Sequence, residues 1–435
     1  MNKKRIAFLF GAGSSLLWDS PKTSELTELV RNTGFKTSDN ETYITEFIYQ
    51  KLIASGNKES EINFETIINV IEELIVYYSY FNYHEKTPSL LKCFLTPNFE
   101  DQIFNFSISG GDAKHNYTLA IPKGKEYPFS RPSQHNETPK QFFLQHLLAV
   151  IISDISGRIS HYAYHTKGHS VVKADSIESQ LFIKWMSSLE KNNYLRLYTL
   201  NYDRIFKILM VHHGMDVFEG FDCGGYVEYS AFLRANVRRI LSDFDCNVHY
   251  NLHGSAFWNA IALDKEQLPN PELALTCGPE FAMNDDFATM QAEKGKTIMV
   301  TNFVTGYQKA QKTLITPLKQ MQAAFDKDCC FADEIYIVGY SFGDEHINES
   351  IKTALRHNEN VKITIVDPNF STSGLDFQMA IKLFSFKQTG VMRPTTIIPH
   401  KLHHFFDGTV AWHSIEFKEF LELQTDPFNK YKLLM

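Results

Sequence analysis

Lys4-Arg5-Ile6-Ala7-Phe8-Leu9-Phe10-Gly11-Ala12-Gly13-Ser14-Ser15 is the stretch around which the rest of the chain is organised. Its apolar run over 6–10 is unbroken, the pattern of a strand buried on both faces of a parallel sheet. The run ends in Gly-Ala-Gly-Ser-Ser, and Leu16, Leu17 and Trp18 continue the apolar content. A strand, a glycine turn and a helix start form the geometry that cradles a phosphate. Glycines let the backbone approach the oxygens, and the helix N–H groups supply donors and positive dipole. A dinucleotide fingerprint of the usual spacing has a third glycine where this chain has Leu16. A tight strand-to-helix turn without a ligand is therefore the competing reading.

Further strand patterns lie at 194–200, 248–252, 297–304, 334–338 and 361–366. Helical patterns lie between them at 203–213, 309–325 and up to 357, the first closed by Gly214. Strands alternating with helices predict an α/β fold, a Rossmann-like doubly wound parallel sheet. Residues 31–189 read differently, as a large, mostly helical insertion. Phe64, Ile67, Ile68, Ile71, Leu74, Ile75 and Tyr78 follow helical spacing behind Asn63 as N-cap. Thr138-Pro139-Lys140-Gln141 is a capping box with proline at the first helical position. Another helix is expected from about 175. Between them, 84–136 loses its period and reads as a long surface segment. The expected organisation is 1–30 plus 190–386 as a nucleotide-binding domain, 31–189 as a helical cap, and 387–435 as an irregular extension with a terminal helix.

Bulk properties narrow the function classes. The chain has 435 residues, 43% of them hydrophobic and 14% aromatic, too long for one ordinary domain and rich enough for a sizeable core. A formal net charge of −7 argues against a general phosphate-neutralising surface, so no direct nucleic-acid contact is expected. Cys93, Cys223, Cys246, Cys277, Cys329 and Cys330 contain no C-x-x-C pair, which predicts free thiols and no thiolate zinc cage. His400, His403 and His404 near Asp407 lack regular ligand spacing and read as a solvated loop, so no metal is expected. Asn2-Lys3-Lys4-Arg5 before the first apolar run is similar to the start of a signal peptide, but the run is too short. No stretch reads as a membrane span, and the expected location is cytoplasmic.

In an open α/β sheet, ligands bind outside the carboxyl ends of the strands. The residues placed there are Gly11, Ala12, Gly13, Ser14 and Ser15, then Thr199-Leu200-Asn201-Tyr202-Asp203, then Leu252-His253-Gly254-Ser255, then Gly339-Tyr340-Ser341-Phe342-Gly343-Asp344, and finally Asp367. Each has an ordinary structural reading: Asn201 and Asp203 as helix cap and first-turn acid, His253 as a turn histidine, Gly339 and Gly343 as turn glycines, Asp344 as a cap. Their convergence on one sheet edge is what calls for a site.

Gly-Ala-Gly-Ser after the first strand, Thr-x-Asn-x-Asp, His-Gly and a late Gly-x-Ser together resemble the sirtuin family. Gly-Tyr-Ser-Phe-Gly-Asp-x-His-Ile-Asn at 339–348, and Ile62-Asn63-Phe64-Glu65, are closer to the sirtuin-like effector domains of bacterial anti-phage defence. The resemblance covers about 1–30 and 190–370, the helical insertion loosely and the tail hardly at all. It implies NAD as substrate. The paired cysteines of deacylating sirtuins are missing, which favours the defence branch, whose members hydrolyse NAD to nicotinamide and ADP-ribose.

On that reading Asn201 and His253 are the catalytic pair. The Asn201 amide would engage ribose hydroxyl and water, and His253 would take a proton. Gly11, Ala12, Gly13 and Ser14 would hold the pyrophosphate, with Ser15 beside them. By resemblance, Asp203 would orient its neighbours or the nicotinamide amide. Gly339, Ser341 and Asp344 would serve the phosphate and adenosine-ribose side, and Asp367 the adenine or its ribose. Two alternatives stay open: a sirtuin-type deacylase or ADP-ribosyltransferase, and a non-catalytic scaffold that senses NAD or ADP-ribose. The resemblance also implies assembly, as a homo-oligomer, with a HerA-type ATPase, or with another sensor.

Overall fold

In the computed structural model the described residues are 3–78, 91, 93–109, 118–120, 138–163, 172–227, 230–262, 271–276, 289–293, 296–306, 309–369, 395–398 and 401–426. Most of the irregular stretch 84–136 lies outside them. The chain divides into two units. Unit 1 holds Met1–Ser20, Ile159–Ser255 and Thr316–Met435, and unit 2 holds Pro21–Arg158 and Ala256–Ile315.

Unit 1 is built on an eight-stranded sheet. Its strands are β1 (Lys4–Phe10), β2 (Asn193–Thr199), β3 (Val248–Asn251), β4 (Glu334–Val338), β5 (Lys362–Val366), β6 (Thr395–Ile398), β7 (Leu402–Phe405) and β8 (Val410–His413). Their spatial order is β6-β7-β8-β5-β4-β1-β2-β3. All neighbouring pairs from β8 to β3 are parallel, and β7 runs antiparallel to both β8 and β6. The run 3-2-1-4-5 is the doubly wound order, and it reverses between β1 and β4. In such sheets ligands bind beside the reversal, which here lies at Gly11 and Gly339.

The alternation of β1 explains both layers. Phe8 and Phe10 face one side. Phe10 stacks on Phe206 at 4.1 Å, and Phe8 meets Trp185 edge-on at 5.5 Å. Those rings belong to α1 (Ile177–Glu190) and α2 (Ile205–His212). The other face of the sheet carries Arg196, Tyr198 and Tyr250 toward α3 (Leu318–Phe331), where Phe325 lies 4.8 Å from the Tyr198 ring. α4 (Glu345–His357) follows β4, and α5 (Phe417–Thr425) packs on α1 through Phe420 against Trp185 at 5.4 Å.

Arg196 is the unusual member of this core. It is fully buried, with Nε donating to Asp328 at 2.6 Å and Nη1 to the Cys246 carbonyl at 2.9 Å. Tyr198 donates its hydroxyl to the same carboxylate oxygen at 2.5 Å. A charge at that depth survives only with such partners.

Unit 2 contains the helices Thr23–Arg31, Ile44–Ala54, Phe64–Tyr77 and Pro97–Ile103, and most of Pro139–Ala163. The capping residues read from sequence are in place. Asn63 accepts from the Thr66 N–H in a reciprocal capping box, and the Thr138 hydroxyl accepts from Gln141 N–H at 3.1 Å. The unit also carries the antiparallel strand pairs Trp258–Ala262 with Pro271–Thr276 and Thr289–Glu293 with Lys296–Met299. A buried ion pair, Lys312 with Glu72, ties its two chain segments together.

Four sequence expectations change. The strand expected at 297–304 ends at Met299, and 300–305 is buried but irregular, with its Thr301 hydroxyl donating to the Phe303 carbonyl. The single helix expected at 309–325 is two, Lys309–Lys312 and Leu318–Phe331, because Pro317 has no N–H to offer the ladder and its ring clashes with a preceding helical turn. The tail contributes β6, β7 and β8 to the main sheet, and His403 and His404 sit on β7, in the stretch expected to be a solvated loop. Finally, Pro139–Ser160 is long and apolar enough to cross a membrane, which the sequence reading had excluded. Most of it is buried, as in the core helix of a globular unit.

Candidate functional site

The ladder hydrogen bonds run one residue past the strands, so the loops at their carboxyl ends start from fixed positions. Gly11 N–H donates to Val338, Leu200 to Phe10, Leu252 to Thr199, Gly339 to Val366 and Asp367 to His413. Within this frame the candidate residues fall into two connected groups and two outliers.

The first group joins the turn after β1 to the loop after β2. Asn201 Nδ2 donates to the Gly11 carbonyl at 3.1 Å and to the Ser15 hydroxyl oxygen. Ser15 is fully buried. Asp203 is 2% exposed and accepts at 3.0 Å from the N–H of Ile205, the first residue of α2, whose N-cap is Arg204. Asn251, at the end of β3, donates through Nδ2 to the carbonyls of both Asn201 and Asp203 at 2.8 Å. Ser255 donates to the Tyr202 carbonyl at 3.0 Å. The loop carrying His253 is thereby pinned to the loop carrying Asn201.

The second group pairs the loops after β3 and β4. His253, 3% exposed, has Nε2 3.9 Å from Asp344 Oδ1, within ion-pair range and beyond hydrogen-bond reach. The His346 ring lies 5.5 Å from the His253 ring. The 339–344 loop is held by Tyr340, whose hydroxyl accepts from Asp344 N–H at 3.0 Å and donates to Asn348 Oδ1 at 3.0 Å. Phe342 has φ +58°, rare for a bulky residue, and packing against Tyr340 at 5.1 Å and Trp412 at 6.2 Å holds it there.

Ser341 is exposed. Asp367 closes its own turn, accepting from Asn369 N–H at 2.8 Å. Neither is linked by a hydrogen bond to either group among the described residues.

The glycine turn differs in an instructive way from a ready phosphate cradle. Ala12–Trp18 is a 3-10 helix. Gly13 N–H is taken by the Gly339 carbonyl at 3.0 Å and Ser14 N–H by the Gly11 carbonyl at 3.0 Å, while Ser14 Oγ donates to the same carbonyl at 2.7 Å. A Cβ on Gly11 would lie 2.4 Å from Gly339 O, and one on Gly339 would lie 2.5 Å from Ser14 N. The glycines let two backbones touch at the switch point. Gly13→Val therefore reports on this packing and not on pyrophosphate contact alone. Gly339→Ala, at φ +61° and against immovable backbone, is expected to lose about 3 kcal/mol or more of stability. Urea unfolding with a midpoint near wild type would refute that close approach.

Asp203 provides a pH signature. Burial pushes its carboxyl up to about 6, against the lowering effect of the Ile205 N–H bond and the Ser15 hydroxyl. Unfolded aspartate titrates near ~3.9, so the folded state holds the proton more tightly. The stabilising contribution is complete below the unfolded value and is lost as pH rises through the folded one. Keeping the ionised form buried at high pH costs about 3 kcal/mol. Asp203→Asn is thus expected to match wild-type stability near pH ~4 and to exceed it above pH ~7. Equal stabilities across that range would place Asp203 in a solvated environment.

The sequence reading did not single out His346, Asn251, Tyr340 or Asn348 as site residues. His346 and Asn348 lie inside the 339–348 motif, and the register of α4 turns His346 toward His253. Asn251 had no signal beyond its place before His253.

No family model matches the chain, and no curated protein matches it. Among solved structures it is similar to one described as "Structural Basis for the Mechanism and Regulation of Sir2 Enzymes", at 11% identity over 49% of this chain and 73% of that one, with a TM-score of 0.21. An overlap that small says nothing about the chemistry of the strand-end residues.

Proposed function

We propose that the chain is an NAD hydrolase that releases nicotinamide and ADP-ribose, with Asn201 and His253 as its catalytic pair. The observation that supports this best is the joining of the loops after β1, β2, β3 and β4 beside the switch point through Asn201, Ser15, Asn251, His253 and Asp344. It is the place where a doubly wound sheet receives a nucleotide.

The chemistry asks little of an acid. The C1′–N bond breaks with its electron pair leaving on neutral nicotinamide, and the ribose passes through an oxocarbenium-like state. A water oxygen then bonds to C1′ and gives up a proton. The requirements are orientation, stabilisation of positive charge and a base. Asn201, fixed through its NH₂ group, offers its amide oxygen to a ribose hydroxyl or the water. His253 accepts the proton, and the Asp344 carboxylate 3.9 Å away favours the charged ring that results. Ala12, Gly13 and the exposed Ser341 are the residues of these loops assigned to the phosphate side.

The motif resemblance extends the proposal to an effector in anti-phage defence that works with further copies of itself or with a partner such as a HerA-type ATPase. The test is nicotinamide release from NAD by the purified chain, with and without an acylated peptide. Release that depends on the peptide would replace hydrolysis by deacylation, and binding without release would leave a sensor.

A further inference from the structure

We infer that Asn251 is a positioning residue: it holds the Asn201 loop against the loop of His253, so that both residues of the proposed site are placed as one piece. The catalytic consequence rests on the proposed reading, but the geometry stands without NAD.

Three successive backbone carbonyls follow β2, those of Asn201, Tyr202 and Asp203. Each is taken by a side chain from the two residues that flank His253 at a distance of two positions. Asn251 Nδ2 carries two hydrogens and donates to the carbonyls of Asn201 and Asp203, both at 2.8 Å. The Ser255 hydroxyl donates to the Tyr202 carbonyl between them at 3.0 Å. Asn251 is 3% exposed and Ser255 is fully buried, so bulk water cannot stand in for either donor. A flipped Asn251 amide would set its oxygen against two carbonyl oxygens, so the network fixes which end faces the loop.

The sheet sets Asn251 itself. It is the last residue of β3, opposite Thr199 in the parallel register with β2, and the next N–H, of Leu252, donates to the Thr199 carbonyl at 2.9 Å. Thr199 also anchors the loop from its other end, its hydroxyl oxygen accepting from the Asn201 N–H at 3.0 Å. Asn201 is thus held by its N–H, by its carbonyl, and by its side-chain amide on Gly11 and Ser15. The bond from Asn251 is the one that ties it to the strand leading into His253. An asparagine with an ordinary turn role bonds to its own turn. Asn251 commits both hydrogens to a loop 48 and 50 residues earlier in the chain.

The experiment compares full-length wild type with Asn251→Leu, which keeps the size of the side chain and removes both donors. Hydrogen exchange is followed by NMR at Asn201, whose N–H is held by Thr199, and at Ile205, whose N–H is held by Asp203. Leu9 and Ile337, paired inside the β1–β4 ladder, report opening of the whole unit. In the variant the two loop amides should speed up at least about tenfold more than the two ladder amides. In parallel, kcat for NAD should fall about 100-fold with KM little changed, because Asn201 is displaced while the residues assigned to the phosphate lie on other loops. Ser255→Ala removes one bond of the three and should show both effects in weaker form, with kcat down about tenfold. Loop amides that speed up no more than the ladder amides would overturn the role. So would a kcat within about threefold of wild type in a variant whose loop amides have loosened. The two readings fail separately. Absence of nicotinamide release from wild type removes the hydrolase reading, while exchange at Asn201 still decides whether Asn251 holds the loop. Where Asn251→Leu does not fold, Ser255→Ala gives the decision by the same two measurements.

Discussion

Asn201→Ala and His253→Ala are each expected to lower nicotinamide release from NAD by about 1,000-fold. Removing the Asn201 side chain abolishes two N–H bonds, to Gly11 and Ser15, at a cost of about 2 kcal/mol of stability. The loop keeps its other anchor, since Asn251 bonds to the Asn201 backbone. The chain should therefore stay folded while losing the oriented amide. His253 needs a finer control because it is 3% exposed, and its truncation also leaves a cavity. His253→Gln retains much of the bulk and a hydrogen-bonding end but cannot take up a proton near neutrality. If His253 is the base, the glutamine variant should be as inactive as the alanine variant. Recovery of activity in His253→Gln would make the residue a packing element, and near-normal turnover in Asn201→Ala would remove it from the chemistry.

The largest effect on stability is expected from Asp328→Ala, about 3–5 kcal/mol. Asp328 holds the buried Arg196 guanidinium through Nε at 2.6 Å and also receives the Tyr198 hydroxyl at 2.5 Å. With the carboxylate gone, a full positive charge remains in a site with no solvent, while burial holds the phenol of Tyr198 in its neutral form. Removing both charges avoids that penalty. The double variant Arg196→Met with Asp328→Leu is therefore expected to be more stable than Asp328→Ala alone. Urea unfolding of the three proteins checks the order. A loss below about 1 kcal/mol for Asp328→Ala would mean that water reaches the guanidinium.

The parts of the fold that were legible in the sequence are those where hydropathy and caps act locally. The run over 6–10 became β1, and Glu334–Val338 became β4 with the bounds read from its pattern. Asn63, Thr138 and Gly214 mark helix ends because capping and positive φ are single-residue effects. The strands of the tail were not legible. β6, β7 and β8 have four residues each, with threonine or histidine interrupting their apolar content. Pro317 was visible in the sequence, but apolar residues on either side carried a helical period across it.

The site divides in the same way. Residue types at strand ends were readable, since turns after buried strands carry glycine, asparagine and histidine. Their pairings were not. Gly13 looks the same whether it admits a phosphate or the backbone of Gly339. Ser15 looks like a phosphate ligand beside Ser14 until its burial against the Asn201 amide is seen. Such roles come from segments far apart in the chain, where no local pattern reaches.

The most direct measurement is nicotinamide release from NAD by the purified chain over a range of protein concentrations, with Asn201→Ala alongside. Equimolar nicotinamide and ADP-ribose, formed without any acylated peptide and absent in the variant, is the predicted result. Release no faster than in Asn201→Ala at every concentration would contradict the assignment of these strand ends as a hydrolase site.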